Sequence, residues 1–176
     1  MVKELIKSVR EYKWYAMLTP LLVGIEVVLE VAIPYVIASL IDLGVSAGNM
    51  NEIYRYGGYL IILAILSLIF GILAGLSAAK GSTGFAKNLR HDIYHKVQDY
   101  SFANIDKFST GGIITRITTD VNNVRMAFQM ITRIAVRAPL MMIFSLIMGA
   151  MVIGKHKENI KRLLNGTESK IKSGGR

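Results

Sequence analysis

The run FSTGGIITRITTDVNNV, residues 108–124, decides how this chain is built. Ser109, Thr110, Gly111 and Gly112 interrupt a helical pattern, and Ser109 or Thr110 can cap the helix that follows. Downstream, Ile113, Ile117, Val121, Val124 and Phe128 recur at the three-to-four-residue spacing of one helical face. Upstream, Phe85, Leu89, Ile93 and Val97 recur every four residues, with Lys87, Arg90, Asp92, Lys96 and Asp99 between them. The two patterns predict a hairpin of two long helices with an exposed bend, a shape suited to docking on a soluble partner.

Outward from the hairpin, the chain turns apolar in long runs. Of its 176 residues 52% are hydrophobic and only 19% charged, which points away from a soluble domain. Three spans stand out, at about 14–41, 58–79 and 138–153. The first opens on Trp14 and Tyr15 after the basic, amphipathic residues 1–13. It is too long for a signal peptide's apolar region and lacks a small-residue cleavage site, so it reads as a retained membrane helix. The third follows Arg133 and Arg137, is barely long enough to cross, and carries Pro139 where a helix start or kink is expected. The expected fold class is all-α integral membrane.

Basic residues set the orientation. Lys3, Lys7, Arg10 and Lys13 precede the first span, Arg55 alone lies between the first two, and a long basic stretch separates the second from the third. The amino terminus is therefore expected in the cytoplasm, with a short outer loop around residues 46–56. The net charge of +9 then reports segments beside anionic lipid, and nucleic acid is not an expected partner. The second helix is expected to run on past the membrane to about residue 104, with Gly81 and Gly84 as points where it could break. Gly71, Gly75 and Ala79 form a small-residue ridge suited to close helix packing.

Chemistry-bearing residues are few. There is no cysteine, and His91 and His95 have the i, i+4 spacing a zinc site can use but no evident third ligand, so no metal site is assigned. Glu26 and Glu30 lie one turn apart inside the first span, where each carboxylate costs about 2.5–3.5 kcal/mol unless it faces a cavity or another helix. They could attract cationic substrates or serve as helix-packing groups. Gly149 to Lys155 fits GxxxxGK, but His156 replaces the magnesium-binding hydroxyl and the stretch closes a membrane span, so it reads as coincidence.

On these residues the chain resembles a known family. The 108–124 run, followed by MAFQM at 126–130 and RIAVRAPL at 133–140, looks like the first intracellular loop and third-helix start of ABC exporters. The first helix's end, from Ile33-Pro34 to Leu40-Ile41-Asp42-Leu43-Gly44-Val45, fits as well. The likeness covers about residues 1–150 and is to half-transporters of bacterial heterodimeric multidrug exporters. It implies that Ser109, Thr110, Gly111, Gly112, Ile113 and the following residue carry a coupling helix that docks on a nucleotide-binding domain. Arg116 and Asp120 are the polar landmarks of the matched motif, and their simpler role is a surface ion pair. Gly112 stands where many relatives carry Glu or another polar residue. A complete half-transporter has six membrane helices and an ATPase, so the resemblance implies a fragment truncated after its third helix. The chain itself is then expected not to be an enzyme. ATP and magnesium would be bound by the missing nucleotide-binding domain, and a second half-transporter would be a partner.

The end of the chain has a different likeness. His156, Asn159, Arg162, Gly166 and Glu168, in HKENIKRLLNGTE, resemble the carboxy-terminal motif of bacterial acyl-phosphate:glycerol-3-phosphate acyltransferases over about residues 153–172. That implies a chimeric join between a partial transporter domain, 1–150, and a basic tail, 151–176. The alternatives to an exporter fragment are an acyltransferase remnant and a small non-catalytic membrane protein that interacts with a transporter.

Overall fold

A computed structural model describes residues 2–100 and 109–167, all but a few of them helical and none in a strand. Helix α1, Val2–Lys7, leads through a tight turn at Arg10–Tyr12 into α2, Lys13–Ser39, whose last turn widens to π geometry at Leu40–Val45. Helix α3 runs unbroken over Met50–Gln98, about 73 Å at 1.5 Å per residue. After the bend, α4, Thr110–Thr115, passes through a π turn at Arg116–Asp120 into α5, Val121–Lys155, and α6 is Lys157–Leu164. Three stretches are long and apolar enough to cross a membrane: Arg10–Val45, Met50–Gln98 and Gly111–Lys155.

The boundaries differ from the sequence expectation for local reasons. Helix α3 begins at Met50, inside the expected outer loop, because the Asn49 side chain accepts the Asn51 N–H at 3.1 Å and Glu52 complements the helix dipole in the first turn. Apolar content marked where the span starts, and a cap marks where the helix does. The other end of α3 closes at Gln98, short of residue 104. Pro139 lies inside α5 rather than at its start.

Within residues 1–140, which form one unit, α2 and α3 pack side by side along most of α2. The packed stripe on α3 is Ala74, Ser77, Ala78, Gly81, Ser82, Gly84 and Phe85, all buried. It departs from the expected ridge in part: Gly71 lies against Glu26 of α2, but Ala79 is exposed, and a Cβ on Gly75 would touch nothing within 4 Å. Gly81 and Gly84, expected as weak points, are instead close-approach positions. A Cβ at Gly81 would stand 3.1 Å from Tyr15 Cβ, and one at Gly84 would overlap the Tyr12 ring. The lost helix propensity is offset by aromatic packing that no larger residue would admit. One turn along, Thr19 Oγ1 donates to Ser77 Oγ (3.1 Å), which donates to the Tyr15 carbonyl (3.2 Å), satisfying two buried hydroxyls.

Below the apolar spans, Val9, Phe85, Ala86, Leu89 and Val121 form the buried core that joins the amino-terminal segment to both arms of the hairpin. Phe85 and Phe128 stack with ring centroids 4.8 Å apart. Polar links frame this core. Asp92 accepts from Ser8 Oγ at 2.7 Å and from Arg10 at 2.6 Å, Asn88 donates to Glu11, and Arg90 Nε donates to the Ile117 carbonyl across the hairpin.

The second unit starts at Met141 and holds the rest of α5 with α6. Its described side chains from Met151 onward are all exposed.

Candidate functional site

Two places in the first unit bring predicted residues together. In the apolar zone, Glu26 and Glu30 share one face of α2, as their four-residue spacing requires, and both meet Arg137 of α5. Arg137 Nη1 donates to Glu26 Oε1 at 3.1 Å, and Nη2 donates to both Glu30 oxygens at 2.9 Å. Glu26 is 8% exposed, and its Oε2 is buried with no hydrogen-bond partner. A recess of about 540 Å³ opens beside the acids, lined also by Arg133 and, on α3, by Ala64, Ser67, Leu68 and Gly71. Gly71 is what lets Glu26 lie against α3, since a Cβ there would come within 2.9 Å of Oε1.

Charge decides what this arrangement can do. Two carboxylates face Arg137 directly, with Arg133 on the same recess, so the cluster balances two positive against two negative groups. Breaking a buried pair by removing one partner costs about 3–5 kcal/mol, whereas the intact cluster contributes little net stability. The arrangement therefore bolts α2 to α5 through one guanidinium. Arg137 was the participant that the sequence reading passed over. Its signal was available: two acids four apart on one span and two arginines four apart, Arg133 and Arg137, at the start of another.

The second place is the turn. Ser109 is the cap, its Oγ accepting the Gly112 N–H at 3.2 Å. Its own backbone sits at φ 53°, ψ 145°, a region disfavoured for a side-chain-bearing residue. Gly112 is thus the third helical position, where a Glu would close a reciprocal capping box with Ser109. The Thr110 side chain lies outside the described residues. Ile113, Arg116 and Asp120 line a groove of about 790 Å³ with Leu89, Ile93 and Lys96 of α3, so the polar landmarks do share one face. Ile114 is 57% exposed and points away from the core.

The tail residues form a separate local cluster. His156 precedes α6, Arg162 Nη2 donates to Asn159 Oδ1 at 2.6 Å, and Gly166 ends the helix at φ 68°. The Thr167 N–H bonds the Arg162 carbonyl and the Gly166 N–H bonds that of Leu163, a Schellman stop that requires the left-handed conformation glycine permits. Helix termination thus accounts for Gly166 without catalysis. Glu168 lies outside the described residues. Gly149 to Lys155 is continuous helix within α5, so its N–H groups do not converge on a phosphate cradle.

Comparison with known proteins agrees with this architecture. Residues 17–154 match the family described as the ABC transporter transmembrane region. The chain is 30% identical over 140 residues to the uncharacterized ABC transporter ATP-binding protein YfiB of Bacillus subtilis, a match covering 80% of this chain and 24% of that protein. It is 25% identical over 142 residues to the uncharacterized ABC transporter ATP-binding protein Rv1273c of Mycobacterium tuberculosis, covering 81% and 24%. The chain thus spans about a quarter of the length of these curated relatives. With three helices long and apolar enough to cross a membrane and a family match over most of its length, this multi-pass membrane chain belongs to the ABC transporter transmembrane region family.

Proposed function

We propose that this chain supplies the first membrane helices and the first coupling loop of an ATP-driven exporter, of the bacterial heterodimeric multidrug type that its motifs resemble. The observation that carries this reading is the capped turn at Ser109. It starts a short helix, with Ile114 exposed, ahead of the core in which Phe85 and Leu89 of α3 and Val121 of α5 are buried together. A helical turn ending in an exposed apolar residue is suited to press into a groove on a soluble domain. The Arg90 to Ile117 bond and the buried Val121 tie the turn to α3, so a push on the turn is passed to that helix. In this reading the amino terminus and the turn face the cytoplasm, and ATP and magnesium are held by a nucleotide-binding domain. A second half-transporter completes the substrate pathway. Glu26 and Glu30 border that pathway through the recess beside Arg133, with their charges already matched.

The acyltransferase-like tail is not needed for this reading: Gly166 ends α6, and Arg162 donates to Asn159. A co-purification experiment tests the main reading. The chain would be co-expressed with the ATP-binding portion of the Bacillus subtilis relative, and Ile114→Asp compared with the unmodified chain. Association lost in the variant, with helix content unchanged, is the expected result. Equal recovery of the ATP-binding portion with both chains, or with neither, would refute docking through this turn.

A further inference from the structure

His91 and His95 lie on α3 where it extends beyond its apolar span, one turn apart and exposed. Spacing alone puts two histidines on one face, and most such pairs point their rings independently. Here the rings converge: the two Nε2 atoms are 3.1 Å apart and the ring centroids 4.3 Å apart. Two nitrogens each bound at about 2.0–2.1 Å to one tetrahedral ion stand roughly 3.3 Å from each other. The pair is therefore within a few tenths of an ångström of the separation that an ion imposes, without any rearrangement of the helix.

The surroundings favour the same nitrogens. His91 Nδ1 is 3.7 Å from Asp92 Oδ1, so a carboxylate stands behind the ring on the side away from the paired Nε2 atoms. A carboxylate behind the far nitrogen is the usual support for a metal-bound histidine. Asp92 is itself fixed, because it accepts from Ser8 and Arg10 of the amino-terminal segment. Among the described residues no group of three or more His, Cys, Asp or Glu side chains is gathered. The protein thus offers two ligands, and water or a side chain from a docked partner completes the shell.

We propose that His91 and His95 form a two-histidine clip on the helical hairpin for a first-row divalent transition-metal ion, zinc being the reference case, with Asp92 supporting His91 from behind. An ion held there staples the turn of α3 that bears Asp92, and so stiffens the end of the hairpin to which the amino-terminal segment is attached. Because two coordination positions stay open, the clip also gives a partner's histidine or carboxylate a place to bind.

Zinc titration of the purified full chain, prepared without a polyhistidine tag and followed by competition with a chromophoric chelator, tests the proposal. One zinc per chain is expected, lost in His91→Ala and in His95→Ala, retained in His156→Ala, and weakened about tenfold in Asp92→Asn. Copper(II) loaded on the unmodified chain provides a readout that does not depend on variant folding: its paramagnetic resonance spectrum should show two imidazole nitrogens. Absence of binding at millimolar zinc, binding unchanged in the His91→Ala/His95→Ala double variant, or an all-oxygen copper spectrum would each overturn the clip.

Discussion

Single residues matter most in this chain where a charge or a missing Cβ meets a neighbouring helix. Arg137 holds two carboxylates, one of them buried, so Arg137→Met should destabilise the α2 to α5 contact by about 3–5 kcal/mol by leaving Glu26 and Glu30 uncompensated. Replacing all three together, Glu26→Gln, Glu30→Gln and Arg137→Met, should restore most of that loss. Thermal unfolding in detergent compares them, and a triple variant no better than Arg137→Met would show that the cluster is not a charge-matched bolt. Gly84 makes a steric counterpart. Its Cβ would overlap the Tyr12 ring, so Gly84→Leu should cost about 1–3 kcal/mol, and the cost should shrink when Tyr12→Ala removes the obstacle. Additive losses in the double variant would mean the two residues do not compete for one space.

At the scale of elements, the hairpin depends on how its second arm starts. Ser109 satisfies one of the free N–H groups of α4, so Ser109→Ala should loosen this start by about 1 kcal/mol. Gly111 works in the opposite sense. A Cβ there would meet nothing within 4 Å, so Gly111→Ala should gain about 0.5–1 kcal/mol by removing glycine's conformational entropy from the helix. Amide hydrogen exchange over residues 110–120 reads both, and should speed up in the first variant and slow in the second. The same exchange rates in both would mean that the turn is set by packing against α3 rather than by its own capping. The Arg90 to Ile117 bond and the Val121 side chain are the contacts that would take over that role.

For the whole molecule, topology is the open physical question that charge can answer. Three crossings from a cytoplasmic amino terminus place the tail outside. Yet the tail bears Lys155, Lys157, Lys161, Arg162, Lys170, Lys172 and Arg176 against Glu158 and Glu168. Carrying that excess across the bilayer opposes the positive-inside tendency. We predict that a reporter active only on the outer side, fused after Arg176, gives well below the activity of a fusion made after residue 154 with the tail removed. Equal activity would show that α5 crosses fully regardless of its charge load. Cysteines placed at Ser109 and Ile114 should react from the cytoplasmic side alone in the same cells, and the chain's lack of native cysteine makes the readout clean. Reaction from outside would invert the orientation.

Much of this protein was legible in its sequence because helices and spans are written in local periodicity. The apolar runs marked three helices long enough to cross a membrane, the four-residue recurrence of Phe85, Leu89, Ile93 and Val97 carried α3 past its apolar span, and Ser109 or Thr110 announced a cap, which Ser109 supplies. Those are properties of neighbours in the chain, and backbone hydrogen bonding alone enforces them where lipid replaces water. What neighbours cannot encode is which faces meet. Of the expected small-residue ridge, Gly71 does meet α2, at Glu26, but the buried stripe runs beside Gly75 and Ala79 through Ala74, Ala78 and Gly81, with Tyr15 Cβ against Gly81 and the Tyr12 ring against Gly84. Likewise the sequence by itself determined that two acids in an apolar span should face a cavity or another helix. Only the tertiary structure decided that the partner is Arg137, 111 positions from Glu26 and 107 from Glu30, since a carboxylate in an apolar span is stabilised by whichever cation the fold brings within hydrogen-bonding reach.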